Sequence, residues 1–141
     1  MARPEKSGPP DEKITINLGP VDLGRIDLLV EEGFYGSRTD FIRDAIRRLL
    51  DDHKAALSDA AVRKEVTVGF VRLARSELER AVAKKQKLDI RVVGRLEIAD
   101  DVTPALADKV IERVSVRGSL QAPREVLDRL GERVVKGGRR A

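Results

Sequence analysis

A six-residue run limits what the first third of this chain can become: in Lys13-Ile14-Thr15-Ile16-Asn17-Leu18, polar and aliphatic residues alternate. Ile14, Ile16 and Leu18 therefore share one face of an extended chain, and Lys13, Thr15 and Asn17 share the other. The period then changes. Leu23, Ile26 and Val30 recur at helical spacing, Gly33–Gly36 interrupts, and Phe41, Ile42, Ala45, Ile46, Leu49 and Leu50 make a second helical stripe. The order is strand, helix, helix. A lone strand leaves its backbone N–H and C=O groups unpaired, and about forty residues bury too little surface to stand alone. Two copies that pair their strands antiparallel and pack their helices together remove both difficulties.

The stretch resembles the ribbon-helix-helix fold of CopG-, Arc- and MetJ-type transcriptional repressors over residues 12–53, most specifically in KITINL and in YGSRTDFIRDAIRRLL. The resemblance implies an intertwined homodimer whose two-stranded ribbon enters the major groove of double-stranded DNA. It places Lys13, Thr15 and Asn17 at base edges, and Ser37, Arg38 and Thr39 at a backbone phosphate. The side-chain chemistry suits those roles. Lysine donates to guanine O6 and N7, threonine offers a hydroxyl and a methyl, and asparagine pairs bidentately with adenine. Alternation by itself fits any exposed strand face; the two helices that follow favour readout.

With 141 residues the chain makes one or two small domains. Aromatic residues are only 3 %, so the core must be mostly aliphatic. The absence of cysteine excludes disulfides, zinc ribbons and thiol catalysis, and one histidine, His53, makes no His-rich site. No metal or cofactor is expected. No apolar run approaches the roughly 20 residues of a membrane span, and the start has no signal-peptide stretch, so the expected location is the cytoplasm, at the nucleoid. Charge is uneven: residues 1–54 hold 9 Lys/Arg and 11 Asp/Glu, a balance of −2, and residues 55–141 hold 19 and 13, a balance of +6. The DNA-binding half is thus not the basic half, and its function rests on the motif rather than on general basicity.

Residues 1–11 hold three prolines and read as a flexible arm, either a plain tail or a place for Arg3 and Lys6 to touch phosphates. Pro20 suits the first turn of a helix that runs to about Glu32, and Gly33 suits its termination. Phe34 and Tyr35 are expected to pack across the turn. Ser37 is the expected N-cap of the second helix, with Asp40 in the third position of a capping box. Arg43, Arg47 and Arg48 alternate with Asp40, Asp44 and Asp51, as solvated helix-face pairs do. Residues 54–65 form a linker or extend the second helix, with His53 at its end.

The second half repeats with a period of 24 residues: Ile90 aligns with Val114, Val92 with Val116, Gly94 with Gly118, Leu96 with Leu120, Val102 with Val126 and Leu106 with Leu130. A diverged copy precedes them, with Val66, Val68, Phe70, Leu78 and Val82. Strand-helix units follow at 66–73 and 75–87, 90–98 and 103–112, and 113–120 and 123–130, joined as a small parallel sheet. The expected class is α+β: an N-terminal ribbon-helix-helix at 12–53, a C-terminal α/β domain of three strand-helix repeats at 66–131, and a basic tail at 132–141. That half has no GxGxxG, no P-loop and no Ser/His/Asp set. Asp100-Asp101 suits a helix start, and Lys84, Lys85 and Lys87 suit a helix end or a contact with DNA or a partner.

The function expected is that of a sequence-specific DNA-binding transcriptional regulator, a repressor acting as a homodimer, without catalysis, and with higher assembly through the C-terminal half left open. Two alternatives stay open: a dimerisation-driven scaffold or polymer, and an antitoxin. Nickel-responsive members of the resembling family carry a His/Cys ligand cluster, and the chain departs from that pattern.

Overall fold

Proline at the first position of a helix sacrifices no hydrogen bond, and α1 begins at Pro20 and runs Pro20–Glu31 in the computed structural model, which describes residues 12–137. The arm at 1–11 and the end of the tail at 138–141, and so the arm contacts expected of Arg3 and Lys6, lie outside the described residues. Gly33 takes a left-handed φ of +82°, and the Phe34 N–H then reaches back to the Leu29 carbonyl at 3.0 Å. Helix α2 spans Arg38–Asp52. Ser37 caps it, its Oγ accepting from the Asp40 N–H at 3.1 Å. Of the expected capping box, only this serine half forms among the described residues. A break at His53 separates α2 from α3, Lys54–Arg63, so the connecting segment is a helix of its own and not a straight extension.

The run at 13–18 departs from expectation: in the single chain residues 12–19 form no strand and are exposed. The physical reason lies in what a strand is. Its backbone groups need a neighbouring strand, and α1 and α2 supply none.

By backbone contact the chain divides into two compact units, one within Asp11–Ala60 and one from Ala61 on. The second is built from β1 Thr67–Leu73, α4 Arg75–Ala83, β2 Leu88–Ile98, α5 Pro104–Val110, β3 Ile111–Gln121, α6 Arg124–Leu130, a 3-10 turn Gly131–Arg133 and β4 Val134–Lys136. The four strands are parallel and lie in chain order. Val92, Leu96 and Ile98 of β2 and Val114 and Val116 of β3 are buried in one cluster with Leu78 and Ala81 of α4, Ala107 and Val110 of α5, and Val126 and Leu130 of α6. The helices therefore cover one face of the sheet. The other face carries the alternate residues and is not packed by α4, α5 or α6, whereas a parallel sheet is usually covered on both faces.

The internal repeat coincides with the sheet register. Ile90 pairs with Val114, Val92 with Val116, Gly94 with Gly118 and Leu96 with Leu120. Gly69, opposite Gly94, extends the glycine row, and the three have φ of +129°, +132° and +128°. The strands come so close along this row that a Cβ on Gly94 would fall inside the Gly69 carbonyl, and one on Gly118 inside the Gly94 carbonyl.

Two expectations about this half change. In β1 the inward residues are Val71 and Leu73, abreast of Leu96 and Ile98. Val68 and Phe70 are exposed. Reading the diverged copy from Val66, Val68 and Phe70 put its alternation one residue out of step, and a one-residue slip exchanges the faces. In addition, the segment read as basic tail contributes β4, which pairs Val134 with Val114 and Val135 with Ser115. Three residues are too few to show a period. Arg133 fixes this end: it donates to the carbonyls of Ile111 at 3.0 Å and Asp108 at 3.2 Å, and its guanidinium pairs with the Asp108 carboxylate. That pairing holds the Asp108 carboxyl below the usual carboxylate range, and Arg129 adds to the effect.

Candidate nucleic-acid interface

Lys13, Thr15 and Asn17 all lie exposed along the segment before α1. Between them, Ile14 is 73 % and Ile16 56 % exposed, which aliphatic side chains do not favour unless something covers them. Ile16 and Leu18 line an open groove of about 380 Å³ together with Ile26 and Leu29 of α1 and Phe41, Ile42 and Ile46 of α2. Among the described residues of the Asp11–Ala60 unit, Ile26 is the only hydrophobic one that is buried. Leu49 and Leu50, the last residues of the α2 stripe, are also exposed. The amphipathic pattern legible in the sequence is therefore present, but its apolar side is left uncovered within one chain.

The start of α2 presents a different surface. Ser37 Oγ takes the Asp40 N–H and the Ser37 carbonyl takes that of Phe41, while the N–H groups of Arg38 and Thr39 meet no acceptor among the described residues. Free donors at a helix N-terminus suit an anion. Arg38 is engaged, however. Its Nε and Nη2 both donate at 2.7 Å to the Asp27 carboxylate on α1. This fork pulls the Asp27 carboxyl below its ordinary range and raises the Arg38 guanidinium above its own, the hydrogen bond being the main cause of each. Both side chains remain about half exposed, so solvent screens the pair. Of the residues expected to hold a phosphate, then, Ser37 and Thr39 stand at the helix end and Arg38 is turned to a neighbouring carboxylate.

The turn before α2 is fixed by Tyr35. Its ring meets Phe41 edge-on at 5.1 Å, and its hydroxyl donates to Asp44 Oδ2 at 3.0 Å. Giving up that proton beside a carboxylate is unfavourable, so the phenol is pushed up. Phe34 does not pack across the turn as expected; it is 71 % exposed. Arg48 pairs with Asp44 at 2.9 Å, as the alternating charges implied. Arg43 and Arg47 meet no carboxylate within ion-pair distance among the described residues and share a cleft with Glu12, at the start of the alternating run. Sequence reasoning assigned them to solvated pairs. Their i, i+4 spacing on one helix face was the signal that sets them apart from Arg48.

No described helix is long and apolar enough to cross a membrane. Compared with known proteins, residues 9–127 match the ribbon-helix-helix transcriptional regulator family. A relative from Methanococcus aeolicus, named "Putative nickel-responsive regulator", is 30 % identical over 120 residues, which cover 84 % of this chain and 82 % of the relative. No solved structure matches.

Proposed function

The chain belongs to the ribbon-helix-helix transcriptional regulator family, and from that premise we propose that it is a sequence-specific repressor that reads the major groove of double-stranded DNA as a homodimer. The observation that carries the reading is the uncovered apolar side of the Asp11–Ala60 unit. Ile14, Ile16, Leu49 and Leu50 are exposed, and among its described residues the unit buries one hydrophobic side chain, Ile26. A second copy supplies both missing parts: a partner strand for residues 13–18 and a cover for the helix stripes. With the strands paired antiparallel, Ile14, Ile16 and Leu18 turn onto the helices. Lys13, Thr15 and Asn17 then stand on the opposite face of the ribbon, where a two-stranded ribbon meets base edges. Ser37 and Thr39 hold the flanking phosphate at the α2 N-terminus, and Arg38 joins them where a phosphate displaces Asp27.

The relative's name points to nickel, and the donor set of this chain does not fit that ion. Regulatory nickel sites draw on imidazole and thiolate ligands. This chain has one histidine and no cysteine, and among the described residues no three His, Cys, Asp or Glu side chains come together as a metal site. The reading therefore takes no step through nickel and assigns the protein no catalysis.

Binding to a pool of fragmented genomic DNA at physiological salt tests it, with wild type beside a Lys13→Ala/Thr15→Ala/Asn17→Ala variant. Wild type is expected to enrich a palindromic or tandem-repeat motif that the folded variant does not. Equal enrichment by both would reject the ribbon as the reader.

A further inference from the structure

The uncovered face of the sheet in the second unit holds a hollow that DNA recognition by the ribbon does not use. Ser115 on β3 is one of the residues that line it. Arg113 and Arg117 stand two residues before and after it on the same face, with Arg91 of β2 abreast on one side and Val135 of β4 on the other. With Lys64 and Val66, these residues line a cleft of about 360 Å³. A short hydroxyl between two long cations leaves room directly above itself, and this is the source of the hollow. The volume lies in the range of small-molecule sites.

The charge in the cleft is unbalanced. Arg91 is held, Nη2 on the Asp89 carboxylate at 2.8 Å and Nη1 on the Lys64 carbonyl at 3.2 Å. Glu65 also acts on Arg91, and Asp89 lies near enough to feel Arg113. Lys64, Arg113 and Arg117 meet no carboxylate within ion-pair distance among the described residues, and no acidic side chain lines the cleft. Like charges gathered around one concavity repel unless an anion sits between them. Guanidinium forks match the oxygens of a phosphate, and the Ser115 hydroxyl can donate to the same group.

We propose that this cleft binds a small phosphate-bearing molecule, gripped by Arg113 and Arg117 over Ser115, with Lys64 and Arg91 at its edge. The proposal does not depend on the ribbon reading. Lys64 directly follows α3, the helix by which the chain leaves the Asp11–Ala60 unit, so an anion held there grips the end of the connecting segment. A compact ligand is favoured over a nucleic-acid backbone because the cations converge on one hollow from two strands and from the segment after α3 instead of following a line.

Titration calorimetry of the full chain with pyrophosphate tests the proposal. Wild type is expected to bind saturably, one per chain. An Arg113→Ala/Arg117→Ala variant should bind roughly tenfold more weakly or worse. Arg113→Lys/Arg117→Lys keeps the charge without the fork and should fall between them; it decides the matter if the alanine variant does not fold. Lys84→Ala/Arg124→Ala removes equal charge elsewhere in the same unit and should bind as wild type. Absence of saturable binding by wild type overturns the proposal, and so does an equal loss in the Lys84/Arg124 control. If pyrophosphate does not bind but the Arg113/Arg117 variant loses affinity for DNA, the cleft is a backbone contact and the small-ligand reading is wrong.

Discussion

Arg38 stands between two anions. Within the chain it forks onto Asp27, and in the proposed complex it faces a DNA phosphate. Asp27→Asn keeps the shape and removes the competing charge. It is expected to tighten DNA binding and to steepen its salt dependence by up to about one unit of slope per protomer, whereas Arg38→Ala should do the reverse. Salt-titrated binding of the three proteins measures this. The pair also makes a pH prediction. The folded carboxyl of Asp27 titrates below its unfolded value, so its contribution is complete above the unfolded pKa and is lost as pH falls through the folded one. The stability gap between wild type and Asp27→Asn should therefore close on acidification, as denaturation at stepped pH would show. Legibility at this scale followed sequence distance. Ser37 and Asp40 sit three residues apart, so the cap could be read from the sequence. Asp27 and Arg38 meet across two helices, and nothing in the local pattern joins them.

At the scale of elements, the glycine row of the sheet separates two costs that usually come together. Gly69, Gly94 and Gly118 all hold a φ near the same positive value, so alanine at any of them meets backbone strain. At Gly94 and Gly118 the new Cβ also runs into the neighbouring strand's backbone, whereas at Gly69, on the edge strand, it meets open space. Gly94→Ala and Gly118→Ala are each expected to destabilise the second unit by on the order of 3 kcal/mol or more. Gly69→Ala should cost clearly less, and urea denaturation of the three variants orders them. Equal losses would mean that the close approach of the strands does not matter. The same row shows why this half was largely legible. Repeated units that pair in register reproduce their sequence alignment as contacts, so aligning Gly94 with Gly118 amounted to reading the sheet. The pattern failed where repetition is weak. The copy in β1 places Val68 and Phe70 outward, against their hydropathy, and β4 is too short to carry any period.

At the scale of the molecule, the two units differ in what they can do alone. The second has a closed core, with Leu78, Leu96, Ile98 and Ile111 among its fully buried side chains, and among the described residues of the first only Ile26 is a buried hydrophobic. Burial of apolar surface is the main favourable contribution to folding, so in the proposed homodimer the first unit draws its stability from association and the second need not. Heating should then give two transitions of different kind. The one assigned to Asp11–Ala60 should rise with protein concentration, each tenfold increase contributing about 1.4 kcal/mol to the folded dimer, while the other stays fixed and serves as the internal reference. Ile16→Asp places a charge where the paired strands of the ribbon would bury an aliphatic side chain, and the cost of an unpaired buried charge is large. It should yield a monomer in sedimentation velocity, abolish the concentration-dependent transition and leave the second intact. DNA binding should disappear with the dimer even though Lys13, Thr15 and Asn17 are unchanged, because one unpaired segment presents no ribbon to the groove. A folded, concentration-independent first unit in wild type, or an Ile16→Asp protein that still dimerises and binds its operator, would show that the apolar side of this unit is covered by something other than a second copy.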